Sequence, residues 1–119
     1  MSALDVAVLC TAQTGNFTSA TGVRAQSVDV QNPGAIVITS TVGGGPTVTV
    51  NIQGSADGTN YFNIPYALVA TPSTYVVTAL TITTAVTTTY LLQANQPWQF
   101  IQIVASANTN VTLTSSAYL

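Results

Sequence analysis

A chain of 119 residues with 47% hydrophobic content and a formal net charge of -2 has the size of one domain and can bury a core without disulfides or a structural metal. Its charged side chains are one arginine, Arg24, and three aspartates, Asp5, Asp29 and Asp57, where about 25% of residues are charged in an ordinary soluble protein. That balance excludes charge-driven disorder, which pairs high net charge with low hydrophobicity, and nucleic-acid binding, because a lone cation releases too few counterions from phosphate.

Helix periodicity is absent and β-branched Thr, Val and Ile dominate, so the chain reads as strands separated by turns. Leu4 to Thr11 is the first predicted strand and ends at Gly15-Asn16. Cys10, the lone cysteine, lies within it; no intrachain disulfide can form, and a small buried apolar residue is the expected role. The first ten residues lack a cationic region and a long apolar run, so no signal peptide or membrane span is expected there. Val23 to Val30 is the second predicted strand, closed by Gln31-Asn32-Pro33-Gly34, and Ala35 to Val42 is the third, with Gly43-Gly44-Gly45-Pro46 as its breaker.

The clearest alternation follows. In Thr47 to Gln53, Val48, Val50 and Ile52 face one way and Thr47, Thr49, Asn51 and Gln53 the other, the pattern of a half-buried antiparallel strand. Asp57-Gly58 supplies a hairpin turn, and Tyr61 to Ile64 returns beside that strand until Pro65. Tyr75 to Thr84 and Thr87 to Gln93 are Thr-rich strands with a weak break near Ala85. After Asn95-Gln96-Pro97, Trp98 to Ala105 carries apolar groups on both faces and is expected to be central; Ser106 to Asn110 reads as a polar turn, and Val111 to Leu119 as a last strand with Val111 and Leu113 inward. Strand signals at this spacing without helices predict an all-β, single antiparallel β-sandwich or jelly-roll-like domain over residues 1–119.

The inventory for chemistry is poor. With no His, Glu or Lys, a hydrolytic triad lacks its base, and no local motif brings the aspartates together, so no catalytic residues and no enzyme are predicted. An acid-base pair would require two of Asp5, Asp29 and Asp57 to share a cleft. Asp57-Gly58-Thr59-Asn60 is the nearest approach to a calcium loop but lacks its later acidic ligand and is read as a turn. The glycine triplet has no following Lys-Ser or Lys-Thr and precedes a strand, so it is no phosphate loop. No cofactor and no metal are expected. The Asn-x-Thr triplets at Asn16 and Asn110 read as products of a Thr- and Asn-rich composition.

A surface this poor in charge lacks the self-repulsion that keeps monomers apart, so association is its natural consequence. The predicted contact residues are Tyr66, Thr81, Thr83, Thr87 and Thr89, where short β-branched side chains lose little entropy and no charge must be desolvated. Among Tyr61, Phe62, Tyr66, Tyr75, Tyr90 and Trp98, most are expected in the core; Tyr66, beside Pro65, is the one expected at the surface.

The segments VTVNIQGSADGTNYFNIP, from Val48 to Pro65, and PWQFIQIVASANTNVTLTSSAYL, from Pro97 to Leu119, resemble small structural proteins of tailed bacteriophages and prophages, and TAQTGNFTSATG, from Thr11 to Gly22, is similar to their N-terminal portion. Gln102 stands in a strand where that family often carries a basic residue. The resemblance implies a virion structural protein with no catalytic residues, and head decoration or cementing as its role. On this reading the partners are the major capsid protein or other virion proteins and further copies of the chain, with a trimer as first choice; neither nucleic acid nor membrane is bound, and the protein is made in the host cytoplasm and resides on the capsid surface. The alternative from another class is a glycan-binding module of a tail, neck or fibre that uses Tyr66 or Trp98.

Overall fold

The computed structural model describes residues 6–19, 23–24, 34–93 and 98–118. Every strand pairing among them is antiparallel, and the strands join in one sheet. They are β1 (Val6–Gln13), β2 (Phe17–Thr18), β3 (Val23–Arg24), β4 (Ala35–Ser55), β5 (Phe62–Asn63), β6 (Tyr66–Leu68), β7 (Leu80–Ile82), β8 (Thr87–Leu92) and β9 (Phe100–Tyr118). The main path runs β1-β9-β4-β8-β6.

Two long strands organise the sheet. A straight β4 of 21 residues would span about 69 Å at about 3.3 Å per residue, whereas the molecule is 45 Å in its longest dimension, so the strand bends. The bend falls at Val42 to Thr47, where the pairing with β9 shifts register. Gly45 there has φ 59°, and across the ladder Ala107 and Asn110 have φ 50° and 54°, backbone angles that local bulges use to turn a strand without ending it.

The neighbouring segments change course at the same level. β1 pairs with residues 113–118 of β9, β2 with 104–105 and β3 with 100–101, so the N-terminal arm follows β9 across the bend. On the other side, β8 pairs with Ala35 to Thr39 of β4 and β7 with Val48 to Val50, with residues 83–86 between them.

Side chains stitch this seam. Asn108 accepts the Val111 amide at 3.1 Å through Oδ1, donates from Nδ2 to the Gly15 carbonyl at 2.8 Å, and receives at its own backbone N–H the Asn16 Oδ1 as acceptor at 3.0 Å. Asn110 Nδ2 donates to the Gly44 carbonyl at 2.6 Å. Buried Ser40 donates to the Thr84 carbonyl at 2.6 Å and accepts the Val86 amide at 3.1 Å.

The all-β antiparallel class expected from sequence is present. Two expected turns are not: the glycine-proline run and Ser106 to Asn110 lie inside β4 and β9, so four predicted strands are two. The breakers face each other in register, with Val42 opposite Val111 and Thr47 opposite Thr109, and paired strands that loosen together bend instead of reversing. The predicted strand Tyr75 to Thr84 shortens to β7 plus a bridge between Val76 and Tyr66, and β6 forms directly after Pro65, where no strand was expected. The expected strand residues 25–30 and the turns at 31–33 and 95–97 lie outside the described residues.

One apolar cluster fills the inner face. It takes Ile36 and Ile38 from one half of β4, Val48, Val50 and Ile52 from the other, and Ile101, Ile103, Val111 and Leu113 from β9. β9 is paired on both sides, as its apolar content predicts. The outer face carries hydroxyls and amides. Thr39 and Thr87 hydroxyls meet at 3.0 Å, and Gln102, Gln53 and Asn63 form an amide ladder across β9, β4 and β5 with steps of 2.9 and 3.1 Å.

Candidate functional site

Asp57 is the one acidic residue among the described residues, and its surroundings are donors. The Thr59 and Asn60 amides reach Oδ1 at 2.8 Å each, the Ser55 hydroxyl donates to it at 2.9 Å, and Asn60 Nδ2 donates to Oδ2 at 2.8 Å. These bonds, the backbone pair first, hold the carboxyl well below the usual carboxylate range. A carboxylate that accepts the backbone amides two and three residues on is the anchor of a turn. No group of three or more metal-ligating side chains occurs among the described residues. Asp5 and Asp29, the other members of any acidic pair, lie outside them.

This anchor has a pH consequence. A folded-state value below the unfolded one, about 3.9, adds stability that is complete above that value and is lost as pH falls through the lower folded value. Thermal unfolding is therefore expected to shift little from neutrality to about pH 4 and to fall below it. Asp57→Asn should flatten that acid fall; a variant as acid-sensitive as the parent would assign the fall to other groups.

Cys10 is buried and donates its thiol to the Leu113 carbonyl at 3.5 Å, and burial pushes its ionisation up, so it is an inert thiol and fills the small apolar role expected of it. An open groove of about 410 Å³ crosses the bend between Thr14, Gly15, Thr41, Val42, Gly43, Asn110, Val111 and Thr112. Its lining offers hydroxyls, an amide and main chain, with no acid-base group.

The predicted contact residues separate. Tyr66 is 5% exposed, not at the surface: its ring meets Tyr90 edge-on at 5.7 Å, and its hydroxyl donates to the Thr78 carbonyl at 2.7 Å. Pro65 ends one segment but leads straight into β6, which turns Tyr66 inward opposite Leu92. Thr81, Thr83 and Thr87 are exposed and Thr89 half-buried. Thr81 stands opposite Thr49, Thr87 opposite Thr39 and Thr89 opposite Val37, on the outer face of β4.

Sequence reading passed over an exposed apolar hairpin. Val76 and Tyr66 exchange backbone hydrogen bonds at 2.9 and 3.0 Å, closing a hairpin around Thr71 to Thr74, and it displays Leu68, Val69, Val76 and Val77 at 40 to 55% exposure. The signal was the apolar pair on each side of Thr-Pro-Ser-Thr: consecutive residues of an extended edge point to opposite faces, so both cannot be buried. Val6 and Val8 on β1 and Phe62 on β5 are also exposed.

Compared with models of protein families, with curated proteins and with solved structures, the chain finds no match in any of the three.

Proposed function

We propose that the protein is a non-enzymatic structural component of a virion, a decoration or cement protein that binds and stabilises the head shell of a tailed bacteriophage. The carrying observation is the hairpin patch of Leu68, Val69, Val76 and Val77, exposed at the sheet edge of a chain with one cation and three anions in its whole length. Exposed apolar side chains gathered on one short edge hairpin offer a protein contact surface, and binding through them desolvates no charge. The resemblance of Val48 to Pro65 and Pro97 to Leu119 to phage structural proteins supplies the setting.

On this reading the bent sheet packs as two layers, a β-sandwich or jelly-roll-like arrangement, which the single core drawn from both halves of β4 and β9 supports. Copies associate with each other, as a trimer first, and bridge subunits of the major capsid protein, adding weak contacts by multivalency. Thr81, Thr83, Thr87 and Thr89 contribute an uncharged face to these contacts. Neither nucleic acid nor membrane is a partner. The glycan-binding alternative is less favoured, since Tyr66 is buried and Trp98 is half-buried against Gly54.

The test is mass spectrometry of purified particles, with rebinding of the purified protein to particles stripped of it. Val77→Asp should keep the fold, because Val77 is 48% exposed. It should weaken rebinding about tenfold to a hundredfold, the worth of burying one valine, and parent binding should persist at about 1 M salt. Absence of the chain from particles, or undiminished rebinding by Val77→Asp, overturns this assignment.

A further inference from the structure

The Asp57-Gly58 turn carries chemistry that its structural role does not use. An aspartate can close on the next residue's backbone nitrogen: the nitrogen attacks Cγ, a new N–Cγ bond forms, the amide proton and the carboxyl hydroxyl leave as water, and a five-membered succinimide results. Water then adds back at either ring carbonyl. Addition at Cγ restores aspartate, and addition at the main-chain carbon leaves the backbone running through Cβ as isoaspartate, with no change in mass and no oxidant or reductant. A following glycine favours closure because it has no side chain to obstruct it and moves freely in φ. Asp57 is the single Asp or Asn in this sequence that precedes glycine; all others precede a β-branched residue, an aromatic, proline or glutamine.

We propose that Asp57-Gly58 is this chain's site of spontaneous isoaspartate formation, and that the buried Ser55 hydroxyl suppresses the reaction in the folded protein by engaging both the attacking nitrogen and the carboxyl in hydrogen bonds that must break before the ring can close. The Gly58 N–H donates to Ser55 Oγ at 2.9 Å, and the same hydroxyl donates to Asp57 Oδ1 at 2.9 Å. Ser55 is 0% exposed and fixed at the end of β4, so it is a rigid post beneath an exposed loop. To react, the carboxyl must also leave the Thr59 and Asn60 amides. The ring of Phe100 closes the other side of Gly58: a Cβ built there would lie 3.1 Å from Phe100 Cε1. The donors around the carboxyl keep it ionised, which is the poorer electrophile.

The protection has a structural stake. An extra backbone methylene between Asp57 and Gly58 would displace Thr59 and Asn60 and open the turn that returns β5 to β4.

The experiment compares the folded protein with the same chain held in concentrated urea, both at neutral pH and physiological temperature, and counts isoaspartate at each Asp and Asn by peptide mapping. Isoaspartate in the denatured chain should appear first at Asp57, and at least about tenfold more slowly in the folded protein, the rate equivalent of one hydrogen bond that must break. Ser55→Ala should raise the folded rate by about the same factor, with circular dichroism reporting that the fold is kept. Hydrogen exchange of the Gly58 amide in the parent protein reads the gate without any substitution and should be slowed relative to the denatured chain. Equal folded and denatured rates, a Gly58 amide exchanging as in the denatured chain, first damage elsewhere, or a folded Ser55→Ala that ages like the parent would each overturn the proposal.

Discussion

Replacing Ile103 by alanine is expected to lower the unfolding free energy by about 2–5 kcal/mol, the cost of removing buried methyl and methylene groups and leaving a cavity that the surroundings fill only in part. Ile103 is 0% exposed and sits opposite Ile52 where β9 is flanked on both sides. Its carbonyl accepts the Ser19 backbone amide at 3.1 Å, and its amide donates to Ser19 Oγ at 3.1 Å, so the backbone there has little freedom to collapse into the void. For a domain whose whole stability is about 5–15 kcal/mol, that loss is a large fraction. A urea titration should show a lower midpoint at unchanged slope. Val8→Ala is the comparison, because Val8 is 63% exposed and its truncation should stay within about 0.5 kcal/mol. Equal costs at the two positions would mean that the inner and outer faces of the sheet are misassigned.

The faces themselves were legible wherever the period of two is strict. Val48, Val50 and Ile52 are buried as the alternation requires, with Thr49, Asn51 and Gln53 turned outward, and Val111 and Leu113 repeat the pattern on β9. What local sequence could not convey is the difference between a bend and a reversal. Gly43 to Pro46 and Ser106 to Asn110 both lose regular geometry, but the outcome depends on the partner: β4 and β9 loosen at facing positions and stay paired on each side of the break. That information is spread over residues about 65 positions apart, beyond any window of periodicity. The same non-locality explains Tyr66, which was expected outside because Pro65 precedes it and is inside because Tyr90, Leu92 and the Thr78 carbonyl come to it from elsewhere in the chain. The scarcity of acid-base groups needed no structure, since His, Glu and Lys are missing from the composition.

Gly54→Ala is expected to destabilise by about 1–3 kcal/mol through overpacking. A Cβ at Gly54 would lie 2.8 Å from Trp98 Cγ and 3.0 Å from Ile64 Cγ2, so the indole, the isoleucine or the strand must move. The backbone there is not in the left-handed region, so alanine itself carries no conformational penalty, and its smaller unfolded-state entropy would by itself stabilise by about 0.4–1 kcal/mol. The contact distance decides the sign: a Cβ at 2.8 Å from a ring atom lies well inside the optimal carbon separation of about 3.5–4.0 Å. Trp98 supplies the readout, being the one tryptophan in the chain. Its indole N–H is buried and meets no acceptor among the described residues, a cost that ends if the ring is pushed outward to water. The variant should therefore combine a lower unfolding midpoint with red-shifted tryptophan emission. Gly44→Ala is the control, with open space around its Cβ and no positive φ, and should be neutral or gain up to about 1 kcal/mol. If Gly54→Ala matches that control and leaves the emission unchanged, Trp98 does not lie over Gly54, and the close approach of β4 to the segment entering β9 is absent.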